Sequence, residues 1–373
     1  MVATTLTGLE TVLAEEITAL GGENVSTARR AVRFYGDDAL LYRSNLALRT
    51  ALRVLVPLVE FNASDEEMLY REVRGFPWED VFSLDQTFVI DAVASGTVFR
   101  HSRYVALKTK DAIADRFRQH FGQRPSVDTH TADIFIHVRV HDRQVILSLD
   151  SSGVSLDKRG YRKVANEAPI NEALAAGILL MTGWKPSQAL LDPMTGSGTF
   201  GIEAALIGTQ TPPGMNRSFA FQRWNEFDAN LFESVRFALS NKIQDPELKI
   251  FSRDILSKNM DIVSQNAANA GMDDYLNIKK EDFFDSSPKE PGGILVLNPP
   301  YGQRLQTAEI ETFYARIGDT LKQRYEGYDA WIISSDPEAL KAVGLKATQK
   351  ADVMNGGLPA RLLKYEIYKG SKR

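Results

Sequence analysis

Cysteine is absent from this 373-residue chain, and histidine is scarce: five residues, all between 101 and 141. Without cysteine there are no disulfides, no thiol catalysis and no cysteine-ligated zinc, and a cytoplasmic setting is expected. His137 and His141 stand four apart on a strand-like stretch with no acid or cysteine to complete a ligand set, so no metal is expected. No apolar run approaches the roughly 18 to 20 residues that span a bilayer. The opening "MVATTLTGLETVLAEEI" lacks a basic n-region, so neither a membrane segment nor a secretory signal is expected. Excess charge of one sign is missing too: 44 basic against 48 acidic residues leave a net charge of −4. The chain as a whole carries no positive field, so binding nucleic acid would need a local basic patch. Low-complexity tracts and short repeats are also lacking.

The length suits two or three domains. Residues 1–58 read as a small α+β unit. "LTGLETVLAEEITALGG" carries Leu9, Val12, Leu13, Ile17 and Leu20 at helical spacing and stops at Gly21-Gly22. "AVRFYG" reads as a strand, and "DALLYRSNLALRTALRVLVPL" as a helix passing into a strand before Pro57. Residues 59–155 form a second unit. "TFVIDAVAS" is a strand, and "RYVALKTKDAIADRFRQHF" a helix with Val105, Ile113, Phe117 and Phe121 facing inward. "ADIFIHVRVHDRQVILSLD" is a strand pair with Ile134, Ile136, Val138 and Val140 on one face and Phe135, His137, Arg139 and His141 on the other. The polar "DSSGVSLDKRGYRK" suits a linker. From 160 to 373, strands and helices alternate, which indicates an α/β domain with a mostly parallel sheet. Its strand candidates are 189–192, 249–254, 276–282, 293–298 and 329–335.

The most informative stretch is "LLDPMTGSGTFGIEAALIG". A strand ends in Asp192, a glycine loop follows, and a helix opens after it. Gly196 and Gly198 permit a tight turn and close approach of a ligand. No Lys-Ser/Thr pair follows, so the loop is not a P-loop, and the glycine spacing is not GxGxxG. Asp192 disfavours phosphate and suits a cationic or hydroxyl-rich ligand. Asp254 ends the next strand and is suited to accept both ribose hydroxyls. Asp282, in "KKEDFF", is suited to an adenine amine, with Phe283 against the ring. An aspartate at a strand end also serves as a helix cap. Three such acids with a glycine loop favour a nucleoside site. In "GGILVLNPPYGQRL", Asn298-Pro299-Pro300-Tyr301 form a stiff loop after an apolar strand, since proline fixes its own φ and restricts the residue before it.

These residues resemble class I S-adenosylmethionine-dependent methyltransferases. In that family "DPMTGSGTF" is the first cofactor loop, the acid after the second strand holds the ribose, and Asn-Pro-Pro-Tyr marks methylation of exocyclic base amines. "RGYRKVANEAPINEALAAGIL" and "TPPGMNRSFAFQRW" are similar to segments of THUMP-containing RNA guanine-N2 methyltransferases. Residues 1–58 resemble their ferredoxin-like domain and 59–155 their THUMP domain. The likeness is closest to the N-terminal, m2G-forming half of the bacterial bifunctional 23S rRNA methyltransferases. The implied architecture is a Rossmann-like methyltransferase domain (160–373) behind the ferredoxin-like and THUMP domains. The implied cofactor is S-adenosylmethionine, held by Pro169, Asp192, Pro193, Thr195, Gly196, Gly198, Thr199, Asp254, Asp282, Phe283 and Asn298. In "FSRD", Arg253 stands where family members usually carry glycine.

The resemblance implies catalysis at Asn298, Pro299, Pro300 and Tyr301. The Asn298 side-chain oxygen and the Pro299 carbonyl would accept the amine hydrogens, and Tyr301 would stack on a flipped base. The partner it implies is RNA, 23S rRNA or tRNA. Arg100, Arg103, Lys108 and Lys110 lie in a locally basic helix suited to phosphates, Arg304 follows the catalytic motif, and the histidines read as surface or RNA-facing. Three alternatives stand beside this expectation: a tRNA guanine-N2 enzyme, a DNA or RNA adenine-N6 enzyme, and a non-enzymatic RNA-binding assembly factor.

Overall fold

The computed structural model describes residues 1–129, 131–163, 169–300 and 307–368, without the side chains of 307 and 308. The N-terminal lobe contains β1 (Val2–Thr5), α1 (Glu10–Ala19), β2 (Glu23–Ala28), β3 (Ala31–Tyr35), α2 (Asp38–Ala47) and β4 (Ala51–Asn62). It continues with α3 (Glu66–Gly75), β5 (Phe88–Ser95), α4 (Ser102–Phe121), β6 (Ile134–His141) and β7 (Gln144–Asp150). All seven strands join one sheet in the order β2-β3-β1-β4-β7-β6-β5. The ferredoxin-like and THUMP units therefore share β4, and the boundary expected at residue 58 falls inside that strand. β4 also runs on through Pro57 instead of ending before it. Pro57 is tolerated because the β4–β7 register shifts between Pro57 and Val59, a bulge where a missing N–H breaks no ladder.

Alternation along the strands assigns the two faces. Val32, Phe34 and Val54 pack with Leu13, Ile17 and Leu40 of α1 and α2. Ile134, Ile136, Val138, Val140, Val145 and Leu147 pack with Leu69 and Val73 of α3 and with Ile113 and Phe117 of α4. Val56 pairs with Leu149, so both sets lie on one face of the shared sheet. Phe121, expected inward, is 51% exposed, because α4 ends there at Gly122 beyond the edge of the core.

The C-terminal lobe is a second seven-stranded sheet. Its strands are β8 (Ala189–Asp192), β9 (Ile250–Asp254), β10 (Leu276–Lys280), β11 (Gly293–Leu297), β12 (Tyr328–Ser334), β13 (Gln349–Asn355) and β14 (Leu358–Glu366). The order is β10-β9-β8-β11-β12-β14-β13, with β14 alone running antiparallel to the other six strands. Helices α5 (Glu172–Thr182), α6 (Thr199–Gly208) and α8 (Ser257–Ala270) cover one face. Helices α9 (Thr307–Arg324) and α10 (Pro337–Ala342) cover the other, and α7 (Ala229–Ser240) packs beneath α2. Leu190, Ile294 and Val296 point into the first layer, and Leu191, Leu295 and Leu297 into the second. The central strands are therefore apolar throughout, as expected of a sheet covered on both faces. Chain order reverses between β8 and β11, which opens a crevice at the carboxyl ends of the strands.

The stretch read as a linker is buried structure. Ser151, Ser152, Asp157, Arg159 and Tyr161 are all buried. Arg159 donates to Glu203 of α6 (3.4 Å) and to the carbonyls of Leu156 and Arg49. Among the described residues no helix is long and apolar enough to cross a membrane.

Candidate functional site

The site grows from the carboxyl ends of β8, β9, β10 and β11. After Asp192 the chain turns through Pro193–Ser197, with Gly196 at φ 56° and Gly198 at φ 84°. Backbone bonds tie this loop to β9: the Thr195 N–H donates to the Arg253 carbonyl (2.9 Å) and the Gly196 N–H to Asp254 Oδ2 (3.0 Å). The second Asp254 oxygen accepts the Leu256 N–H at 3.0 Å. Asp254 thus orders the start of α8 and the glycine loop together. A carboxylate has about four acceptor positions, so two remain for a ligand. Asp282 accepts the Phe284 N–H at 2.9 Å in the same capping fashion.

A cavity of about 500 Å³ opens between these ends. Of the residues expected from the sequence, Pro169, Pro193, Thr195, Gly196, Thr199, Asp254, Asp282, Phe283, Asn298 and Pro300 line it. Pro169 is brought there by Arg162, which donates to the Ile170 carbonyl (2.8 Å) and to Thr199 Oγ1 (2.9 Å), fastening that segment to α6.

Three expected residues sit otherwise. Asp192 is buried under the loop, 1% exposed, and its Oδ2 accepts the Thr195 hydroxyl at 2.7 Å. It shapes the loop and does not form a wall of the cavity. Burial first, and the nearby Asp254 carboxylate, raise its pKa from 3.8 to about 7. Gly198 faces α8: a Cβ there would lie 2.8 Å from Val263 Cγ1, so its bareness serves helix packing. Pro299 is buried and is not part of the lining. Tyr301 and Arg304 lie outside the described residues.

Asn298 is the site's most pointed group. Its Oδ1 is buried and, among the described residues, has no hydrogen-bond partner. A buried amide oxygen without a partner costs about 1–3 kcal/mol unless something supplies a donor. Asp192 Oδ1 is likewise buried without a partner. The unused Asn298 acceptor, a bare Gly196 backbone and the Asp254 and Asp282 carboxylates at the rim suit an amine- and hydroxyl-rich nucleoside.

Sequence reasoning missed part of the wall. Ile255 and Leu256, 57% and 47% exposed, form an apolar lip directly after Asp254. Asn259, Phe284, Phe313 and Arg316 also line the cavity. The Arg316 guanidinium lies 3.9 Å from the Phe284 ring centroid, and Phe313 meets Phe284 edge-on. Phe284 adjoins Phe283 and was within reach of a motif reading. Nothing in the sequence ties Phe313 and Arg316 on α9 to the cavity. Arg253, the departure noted above, bonds Glu281 at 2.9 Å and Asn277 Oδ1 at 2.8 Å, so its side chain staples β9 to β10.

The basic helix α4 is largely neutralised. Lys108 pairs with Glu67 (2.7 Å), Lys110 with Asp111 (2.9 Å), Arg116 with Glu79 and Arg118 with Asp115 (2.7 Å). Acids on and after α3 were invisible to a count of charges along α4 alone. Arg100 and Arg103 stay exposed.

The RMKL-like methyltransferase domain profile matches residues 159–364. The chain belongs to that family. Ahead of this methyltransferase domain, residues 1–55 match the RlmL ferredoxin-like domain and 63–150 the THUMP domain. This RMKL-like methyltransferase is 38% identical to a Synechocystis protein described as a candidate RNA methyltransferase, over 98% of this chain and 96% of that one. It is 39% identical to the ribosomal RNA large subunit methyltransferase K/L of Syntrophotalea carbinolica, over 98% of this chain and 53% of that one. It therefore spans about half the length of the K/L relatives. The solved candidate methyltransferase SMU.472, complexed with SAH, is similar at TM-score 0.89 and 30% identity, over 99% of this chain and 98% of that one. A Listeria monocytogenes protein described as a predicted N6-adenine-specific DNA methylase is similar at 0.87 and 29%, over 98% and 95%. The cofactor of this RMKL-like methyltransferase is S-adenosylmethionine.

Proposed function

We propose that this chain is an RNA methyltransferase that modifies the exocyclic N2 amine of guanosine, with 23S rRNA as its substrate. The observation that carries the reading is the Oδ1 of Asn298 just after β11, buried and without a hydrogen-bond partner among the described residues, at a cavity that the glycine loop also lines. S-adenosylmethionine supplies an electrophilic methyl on a sulfonium. Asp254 holds the ribose hydroxyls, and Asp282 with Phe283 holds the adenine edge and face. Thr195, Gly196 and Thr199 form the loop beside the cofactor, Asp192 keeps that loop in shape, and Pro169 closes the opposite side.

An exocyclic amine is a weak nucleophile because its lone pair is delocalised into the ring. Asn298 Oδ1 accepts one amine hydrogen and the carbonyl of Pro299, a buried residue between the lining residues Asn298 and Pro300, turns to the cavity to accept the other, which draws the amine out of the ring plane. Pro299 and Pro300 hold that carbonyl rigidly, so its orientation precedes substrate binding. Once methylated, the nitrogen is an acidic ammonium that gives its proton to water, so no strong base is required. Holding the reacting atoms in line is the main contribution of these residues.

Large-subunit ribosomal RNA is favoured by the names of the K/L relatives, and guanine by the resemblance of the sequence to THUMP-containing RNA guanine-N2 methyltransferases. A second reading, adenine N6, is favoured by the Listeria neighbour's description and by a motif chemistry common to both amines. Incubation with labelled S-adenosylmethionine and protein-free 23S rRNA, tRNA or DNA, followed by nucleoside mass spectrometry, separates them. N2-methylguanosine in 23S rRNA is expected. N6-methyladenosine, or label confined to tRNA or DNA, would overturn the proposal.

A further inference from the structure

The N-terminal sheet keeps all four of its helices on one face, and its other face holds a cavity of about 700 Å³. From that face and from the β2–β3 turn project Arg29, Arg30, Arg33, Arg53 and Arg139. Two carboxylates, Glu60 and Asp91, share the lining, and Asp150 is already paired with Arg53. Arg29, Arg30, Arg33 and Arg139 are exposed, and among the described residues no carboxylate lies within ion-pair distance of them. This is the reverse of α4, whose cations are mostly matched by acids.

The register brings these residues together. Val2 pairs with Arg33 on one side and Leu55 on the other, and Thr4 with Arg53. His137 pairs with Asp91 and Ser148, and Val93 with Arg139. The floor is recessed: Leu55, His137 and Ser148 are 4%, 9% and 3% exposed. Tyr35, beside Arg33, is 65% exposed and Val93 is 52% exposed. Exposed aromatic and aliphatic groups ringed by arginines fit unstacked bases and their phosphates, as on other sheet surfaces that bind single strands.

We propose that this helix-free face, spanning both N-terminal domains, is the docking surface for a single-stranded segment of the RNA substrate. A base stacks on Tyr35 or enters the pit above His137, and the arginines hold the phosphates. The proposal rests on RNA being the substrate, and it moves the RNA contact away from the α4 basic residues expected from the sequence. A paired helix does not suit the pit, because its bases are stacked and cannot enter.

The test measures binding of the full chain to a short fluorescein-labelled single-stranded RNA and to its duplex, at several salt concentrations. Arg33→Glu with Arg139→Glu should weaken single-strand binding at least about tenfold. It should also flatten the slope of log affinity against log salt by about 1.4, near 0.7 for each lost phosphate contact. Tyr35→Ala should cost about tenfold with no change of slope. Arg100→Glu with Arg103→Glu on α4 should do less than the sheet-face pair. Should the double glutamate variant misfold, Arg33→Ala with Arg139→Ala is read in its place. Unchanged affinity and slope in the sheet-face variants, an equal or larger loss from the α4 pair, or equal dependence of duplex binding on Arg33 and Arg139 would each overturn the proposal. S-adenosylmethionine binding and the identity of the methylated base are read separately, so failure here and failure of the guanine reading are distinguishable.

Discussion

Asn298 and Asp192 each have a buried oxygen without a partner among the described residues, and their surroundings give them different work. Asn298 lines the cavity and Asp192 does not. Asn298→Ala should lower kcat by at least about a hundredfold while cofactor affinity changes far less, measured by methyl transfer and by calorimetric titration. A preserved kcat would remove Asn298 from catalysis. Asp192 titrates near pH 7 in the fold and near 3.8 when unfolded, because burial penalises its charge. A raised folded pKa means that its stabilising contribution is complete below about 3.8 and is lost as pH rises through about 7. Asp192→Asn keeps an acceptor for Thr195 and removes that loss. The melting temperature of the variant minus that of the parent should therefore be larger near pH 8 than near pH 5. A difference that does not change with pH would show that Asp192 does not titrate in this range.

At the scale of elements, the glycine loop is held between β9 and α8 more than by its own bonds. Gly198 combines a left-handed φ of 84° with van der Waals contact against Val263. Gly198→Ala should cost about 1–3 kcal/mol and weaken cofactor binding, because both the backbone strain and the clash fall at the first turn of α6. Adding Val263→Ala removes the clash and leaves the strain, so recovery should be partial, as read by thermal melts. Full recovery would mean that the backbone conformation carries no cost. On α4 the charged residues belong to an ion-pair lattice with α3, so their neutralisation should affect helix packing more than RNA affinity.

Across the whole molecule the two lobes share one core. Leu6 and Leu9 of the ferredoxin-like unit pack in the same cluster as Leu174, Ile178 and Val353 of the catalytic domain. A Cβ on Gly8 would lie 2.3 Å from the Asp352 carbonyl, so the lobes touch through bare backbone. Arg159 and Glu203, 2% and 0% exposed in their side chains, bridge this seam, and Tyr161 donates to Glu203 at 3.0 Å. Arg159→Met strands a buried carboxylate and should destabilise the protein by about 3–5 kcal/mol; adding Glu203→Gln should recover part of this. Scanning calorimetry should show one transition that shifts as a unit. Two separate transitions would mean that the lobes fold independently.

Local chemistry decided much of this protein before tertiary contacts entered. The strands ending in Asp192, Asp254 and Asn298, the glycine loop and the alternation in β6 were legible because each is written in consecutive residues. The placement of Phe313 and Arg316 at the cavity was not, because α9 meets Phe284 only after the sheet is assembled. Neither was the merger of two expected domains into one sheet, since β4 pairs with β1 and β7, which lie far apart in the chain. The neutralisation of the basic helix was hidden in part for the same reason: Asp111 and Asp115 lie on α4, but Glu67 and Glu79 come from α3 and the segment just after it. Short-range spacing determines which groups reach a strand end. Only long-range pairing determines which charges are left free, and here it left them on the uncovered face of the N-terminal sheet.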